Sequence, residues 1–177
     1  MKILLTLLAL CALAVAQTGD ADKQKLIDIE QAGLKITSFN SPEMTEFFQK
    51  HLYDGTSSVV VPTGHLYYGP KSMAIAATKP DPNDPNVKTI NKASDFKVDV
   101  YGDTALVSYK VVSTDSGHRN PALNAEVTMT TLDTFVKRNG SWYLIGSASV
   151  LSEPMAQAQW DAIKKMEAQT SQKPPSQ

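Results

Sequence analysis

The chain has 177 residues, 42% of them hydrophobic and 20% charged, which fits a single globular domain with a sizeable core. Its 17 basic and 18 acidic side chains leave a net charge of −1, so no global field draws it to nucleic acid or to an anionic membrane. No basic stripe with interleaved aromatics overrides that balance, and nucleic-acid binding drops out of the expected roles.

The first 16 residues read as a targeting signal. Lys2 is the positive start, Ile3 to Leu13 the apolar run and Ala14-Val15-Ala16 the small-residue cleavage site. The run is short for a span, which needs roughly 20 apolar residues, so no stable membrane anchor is expected after cleavage near Ala16. The expected product is exported, periplasmic or secreted. Removing the signal removes Cys11, the only cysteine, and with it any disulfide, thiol nucleophile or thiolate metal site.

Asp22 to Ile36 predicts a first helix, with Asp22 as its cap and Leu26, Ile29, Gly33 and Ile36 as its apolar stripe. Ser41-Pro42-Glu43 opens a second helix, whose stripe is Met44, Phe47, Phe48 and Leu52. His51 ends it, where a cation would suit the helix dipole. Ser57 to Val61 is a short β-branched strand, Pro62-Thr63-Gly64 a turn, and Gly69-Pro70 the start of a third helix reaching about Thr78. The Pro- and Asp-rich run from Lys79 to Asn86 is a loop.

Two hairpins follow. Gly102-Asp103 folds Val100 onto Ala105, Val98 onto Val107 and Phe96 onto Tyr109. After a polar excursion from Ser113 to Asn124, Asn139-Gly140 folds a second pair. A two-residue turn there sets Lys137 against Trp142, Phe135 against Leu144, Asp133 against Gly146 and Thr131 against Ala148. One face of that hairpin is then apolar except for the carboxyl group of Asp133. Glu153-Pro154 begins a C-terminal helix over 153–169, and 170–177 is a polar tail expected to be disordered.

Helices first and antiparallel strands later predict an α+β fold: a cone-shaped curved antiparallel sheet with helices packed on its concave face, plus the extra C-terminal helix. Phe96, Val98, Val107, Tyr109, Asp133, Phe135, Leu144 and Gly146 would line the hollow.

Asp133 is the leading chemical candidate, because an acid on an apolar face has its pKa raised and suits a general acid or hydrogen-bond donor. His65, after the Pro62-Thr63-Gly64 turn, is the weaker candidate as a base. No His, Asp or Glu grouping has metal-ligand spacing, and no cofactor motif occurs. Asn139-Gly140-Ser141 matches a glycosylation acceptor but is already explained by the turn.

This order of elements resembles the nuclear transport factor 2-like superfamily, also called ketosteroid-isomerase-like or SnoaL-like. The likeness rests on the two leading helices, the Pro62-Thr63-Gly64 turn, the third helix, Val98-Asp99-Val100-Tyr101-Gly102-Asp103-Thr104-Ala105 and Phe135-Val136-Lys137-Arg138-Asn139-Gly140-Ser141-Trp142. The last segment resembles the secreted branch of unknown function. The resemblance covers about Asp22 to Ser152, within a domain taken as 17–152. It implies the cone-shaped half-barrel, a fold that hosts many activities.

Of the isomerase's site, the general-base position falls on Val61, which takes no proton. The oxyanion-side Asp falls on Asp133 in Leu132-Asp133-Thr134-Phe135, and no Tyr stands on the first helix. The leading expectation is an exported protein binding a small, mostly apolar molecule. The alternatives are a lyase, isomerase or hydrolase using Asp133, and a non-catalytic module that forms a homodimer.

Overall fold

In the computed structural model, residues 19–60, 66–78, 85–119 and 124–152 are described. The signal segment 1–16, the Pro62-Thr63-Gly64 turn with His65, and the segment 153–177 lie outside them. The chain runs α1 (19–34), α2 (Pro42–His51), β1 (Thr56–Val60), β2 (Leu66–Pro70), α3 (Lys71–Ala77), β3 (Lys88–Tyr101), β4 (Thr104–Ser116), β5 (Glu126–Arg138) and β6 (Ser141–Leu151). The six strands form one open curved sheet in the order β2-β1-β6-β5-β4-β3. All pairings are antiparallel except one: β1 lies parallel to β6. A strand that joins its neighbour from far away in sequence is free of the hairpin constraint, so its direction departs from the all-antiparallel expectation.

Local chemistry sets the ends of α2. The Ser41 side chain accepts from the Met44 N–H at 3.2 Å, and Pro42 opens the first turn. His51 stacks near Phe47 with ring centroids 4.9 Å apart. Burial, with the neighbouring Lys50 charge, lowers its pKa, so it favours the neutral ring and not the helix-end cation the sequence suggested.

The β5–β6 turn has Asn139 at φ 51° and Gly140 at φ 80°, both in the left-handed region that a type I′ turn requires. From it the register runs as expected, Lys137 on Trp142 and Phe135 on Leu144, and then shifts. The next pair is Thr134 with Gly146, so Ile145 is an extra residue, a β-bulge. Its cause lies on the neighbouring edge. The chain leaving α2 docks beside Leu144, where Tyr53 N–H donates to the Leu144 carbonyl at 3.0 Å, and β1 then pairs with Gly146.

A second shift interrupts β3–β4 between Ser94 and Lys97, where Asp95 adopts φ 58°. Asp tolerates this conformation better than most residues. Asp95 and Phe96 together oppose Tyr109, and the alternation changes phase. Thr89, Asn91 and Ala93 thereby face the same side as Phe96, Val98 and Val100. Both strands extend well beyond the expected hairpin, and β4 takes up the start of the polar excursion through Ser116.

The core lies between α1 and the concave face. Leu26 of α1 is fully buried among Ala105, Val107, Val111, Phe135 and Trp142. Burying each of the larger side chains contributes about 1.5–3 kcal/mol. Among the described residues no helix is long and apolar enough to cross a membrane.

Candidate functional site

Asp22, Leu26, Glu30 and Gly33 recur along α1 at helical spacing, so one face presents them all to the sheet. Leu26 fills the core at the middle of this row. Asp22 is not the cap expected of it but an inner-face residue one turn earlier. Its carboxylate accepts from Lys137 Nζ at 2.7 Å and from Trp142 Nε1 at 3.2 Å.

Glu30, one turn after Leu26, meets a different environment. Tyr109 of β4 stands between it and Asp133 of β5. The phenolic Oη lies 3.2 Å from Glu30 Oε2 and 3.0 Å from Asp133 Oδ2. A phenol has one proton, so it donates to one of these oxygens, and the other contact needs a proton held by the carboxyl group. The three groups form a chain of carboxylic acid, phenol and carboxylate.

Electrostatics agree. Burial, then the Asp133 charge and the hydrogen bonding between the two acids, pushes the Glu30 carboxyl up to about 9. Burial also raises Asp133, while Ser147, Glu30 and Tyr109 pull it part of the way back. Burial and the two acids push the Tyr109 phenol far up, so it stays protonated at any physiological pH. The two contacts of the phenol need one carboxyl proton shared between the acids, and the raised Glu30 carboxyl holds it. Glu30 Oε1 and Asp133 Oδ1 are both buried without a hydrogen-bond partner among the described residues.

This network borders a cavity of about 240 Å³. Its walls are Ile29, Glu30, Gly33 and Leu34 from α1, Met44, Phe47 and Phe48 from α2, Ile36 and Phe39 between them, and Thr89, Asn91, Tyr109, Phe135 and Leu144 from the sheet. Gly33 gives the Phe47 ring room, because a Cβ at that position would come within 2.8 Å of it and the ring would have to shift. Phe39, half exposed, stands at the rim.

Of the residues singled out from sequence, Tyr109, Phe135 and Leu144 face this cavity. Phe96 stacks on Tyr109 with centroids 5.0 Å apart and supports it from the side. Val107 is fully buried in the core, and Val98 packs against that core. Asp133 is 3% exposed and reaches the site through Tyr109. Gly146 is a correction: the Ile145 bulge pairs it with Thr134 on the opposite face, and Ser147 takes the place opposite Asp133. His65 lies outside the described residues.

Glu30 and the α2 aromatics Phe47 and Phe48 are site residues that the sequence pattern does not single out. Glu30 stands in the four-residue series with Asp22 and Leu26, a signal that an apolar-only stripe passes over. Among the described residues no three His, Cys, Asp or Glu side chains converge as a metal site.

The sheet order, the two leading helices and the hollow between them decide the comparison with solved structures. The chain has the nuclear transport factor 2-like fold. It is similar to a nuclear transport factor 2-like protein of Cytophaga hutchinsonii, with 18% identity over 73% of this chain and 97% of that one, at a TM-score of 0.57. A Streptomyces avermitilis member described as a candidate dehydratase matches at 16% identity, 76% and 98% coverage and TM-score 0.59. The hub of a calcium/calmodulin-dependent kinase II from S. rosetta matches at 16%, 73% and 95%, with TM-score 0.53. No family model matches the sequence, and no curated protein does. At these identities the likeness concerns the fold alone.

Proposed function

We propose that this protein binds a small, mostly apolar molecule in the cavity between α1, α2 and the sheet, and that it does so after export. One observation carries the reading: a mostly apolar hollow of about 240 Å³ is lined by Glu30 and Tyr109 of a buried carboxyl–phenol–carboxyl chain, which has an oxygen at each end unpartnered among the described residues. Apolar walls supply affinity, and a few placed polar groups supply orientation. Export rests on the leader-like residues 1–16, and N-terminal sequencing of the exported protein should begin near Gln17.

The test is mass spectrometry of small molecules that co-purify with the exported protein, repeated on Phe48→Asp, which sets a charge in the cavity wall. Wild type should retain a compound that the variant releases. Retention of nothing by either form counts against the reading.

The same site is chemically fit for a lyase, isomerase or hydrolase, because a carboxylic acid that stays neutral at pH 7 can donate a proton or a hydrogen bond. Equal turnover by Glu30→Gln and wild type on a discovered substrate would remove Glu30 as that acid, and equal turnover by Asp133→Asn would remove Asp133 as its partner. A homodimeric association module is favoured by a separate observation. Leu132 and Val150 are 45% and 59% exposed on the outer sheet face, and the kinase hub shares this fold. A monomeric mass by light scattering at micromolar concentration would exclude it.

A further inference from the structure

The carboxyl pair of Glu30 at the cavity wall and Asp133 behind it has no cation partner among the described residues. Glu30 and Asp133 share one proton, which leaves one negative charge among largely apolar neighbours. Isolated charges at such depth are normally paired with a cation. Among the described residues none does so here. Lys137 is committed to Asp22, Lys71 to Asp54 and Lys110 to Asp95. The cavity that Glu30 lines is also lined by Phe47, Phe48 and Phe135, aromatic side chains whose rings can attract a cation through their π faces. Glu30 is 8% exposed, and its Oε1 has no partner among the described residues.

We propose that the cavity takes a small apolar amine, whose ammonium group is received by Glu30 while the proton of Glu30 passes through Tyr109 to Asp133. The proposal rests on the ligand-binding reading above and names its ligand class. The proton count balances. Glu30 Oε2–H gives its proton to Tyr109 Oη, and Tyr109 gives its own to Asp133 Oδ2. Glu30 becomes the carboxylate that meets the ammonium, and Asp133 becomes the neutral acid behind it. Both hydrogen bonds of the chain persist with their directions reversed, and no proton leaves the protein. The negative charge thus sits at the rear of the site without ligand and at the cavity wall with it.

The experiment is calorimetric titration of the protein at pH 7 with four probes of matched shape: 2-phenylethylamine, 2-phenylethanol, ethylbenzene and 3-phenylpropanoate. The amine should bind at least about tenfold more tightly than the alcohol or the hydrocarbon, as a charge-assisted contact does, and the carboxylate should not bind. Glu30→Gln should keep ethylbenzene binding and lose the amine preference. Titrating the amine in buffers of different ionisation enthalpy should show no net proton exchange for wild type. Asp133→Asn, which cannot take the proton, should release about one per amine bound.

Ethylbenzene binding without any amine preference, or an alcohol that equals the amine, overturns this inference and leaves the cavity reading intact. Binding of none of the four overturns both. Amine preference surviving in Glu30→Gln removes Glu30 as the receptor. No proton release from Asp133→Asn removes the relay.

Discussion

Asp22 and Glu30 stand two turns apart on the same face of α1, both more than nine-tenths buried against the same sheet. Asp22 meets an ammonium and an indole N–H, and Lys137 also lies 5.3 Å from the centre of the Trp142 ring. Burial pushes the Asp22 carboxyl up, but the hydrogen bonds from Lys137 and Trp142 and the charges of Lys137 and Lys25 outweigh it and leave it lowered. Glu30 meets a phenol and another acid, and its carboxyl is raised. The first is a charged clamp that ties α1 to the end of the β5–β6 hairpin. The second is a carboxyl group left partly unsatisfied where the sheet opens into a hollow. A buried acid supplied with a cation stabilises the fold, whereas one left without reduces stability and is available to a ligand.

That contrast breaks most sharply at the clamp. Trp142→Ala removes a 3%-exposed core ring together with the donor to Asp22, and should cost about 3–5 kcal/mol in urea unfolding. The next effect is a slope. Glu30 holds its proton when folded and releases it when unfolded over the window between 4.5 and about 9. Its contribution is fully present below 4.5 and is lost as pH rises toward 9. Stability should therefore fall by about 1.4 kcal/mol per pH unit in that window, and Glu30→Gln should abolish this component. Asp22 has the opposite sign: its lowered pKa stabilises above the unfolded value of 3.8 and is lost as pH falls through the folded one. Unfolding curves from pH 3 to 8 on wild type and Glu30→Gln separate the two. Parallel curves across the neutral range would refute the shared proton.

Most of the architecture was legible because each hairpin carries its own turn chemistry and period-two alternation. The pairs from Lys137–Trp142 to Phe135–Leu144, and Val98 with Val107, follow from Asn139-Gly140 and Gly102-Asp103 alone. Legibility ended where a distant segment intervened. The Ile145 bulge answers to Tyr53 docking on Leu144, a contact made across more than half the domain, and it moved Gly146 out of the predicted lining. Asp95 left a clearer trace. The apolar spacing from Ala93 to Phe96 breaks the alternation, which is what a bulge does. Asp133 stood out as an acid on an apolar strand face. Glu30 did not, because its neighbours in sequence give no sign that a tyrosine from β4 and an acid from β5 converge on it.

The clamp also answers to a smaller change. Lys137→Met keeps the aliphatic stem and removes the ammonium, leaving the Asp22 carboxylate with the indole N–H as its remaining partner. The loss should be about 1–3 kcal/mol at pH 7, the cost of an under-satisfied buried acceptor. It should shrink as pH falls below the ordinary value of 3.8 and Asp22 takes a proton. A cost unchanged at pH 3 would mean that packing of the lysine stem, rather than its charge, holds the clamp.

Tyr109→Phe should have the smallest effect, and the reason sharpens the comparison. The Phe96 stack and the burial of the ring survive, so the loss is confined to one hydroxyl between two oxygens 3.2 Å and 3.0 Å away. Because Glu30 carries a proton of its own, the hydrogen bonding between the two acids survives without the phenol. The expected cost is therefore about 1 kcal/mol, the net value of an ordinary hydrogen bond, and the falling stability between pH 6 and 8 should persist. Were both carboxyl groups ionised in the native state, the phenol would be the proton set between them. Its removal would then set two bare charges against each other, at a cost well above that figure. Urea unfolding of Tyr109→Phe at pH 7 thus reads the protonation state of the pair directly.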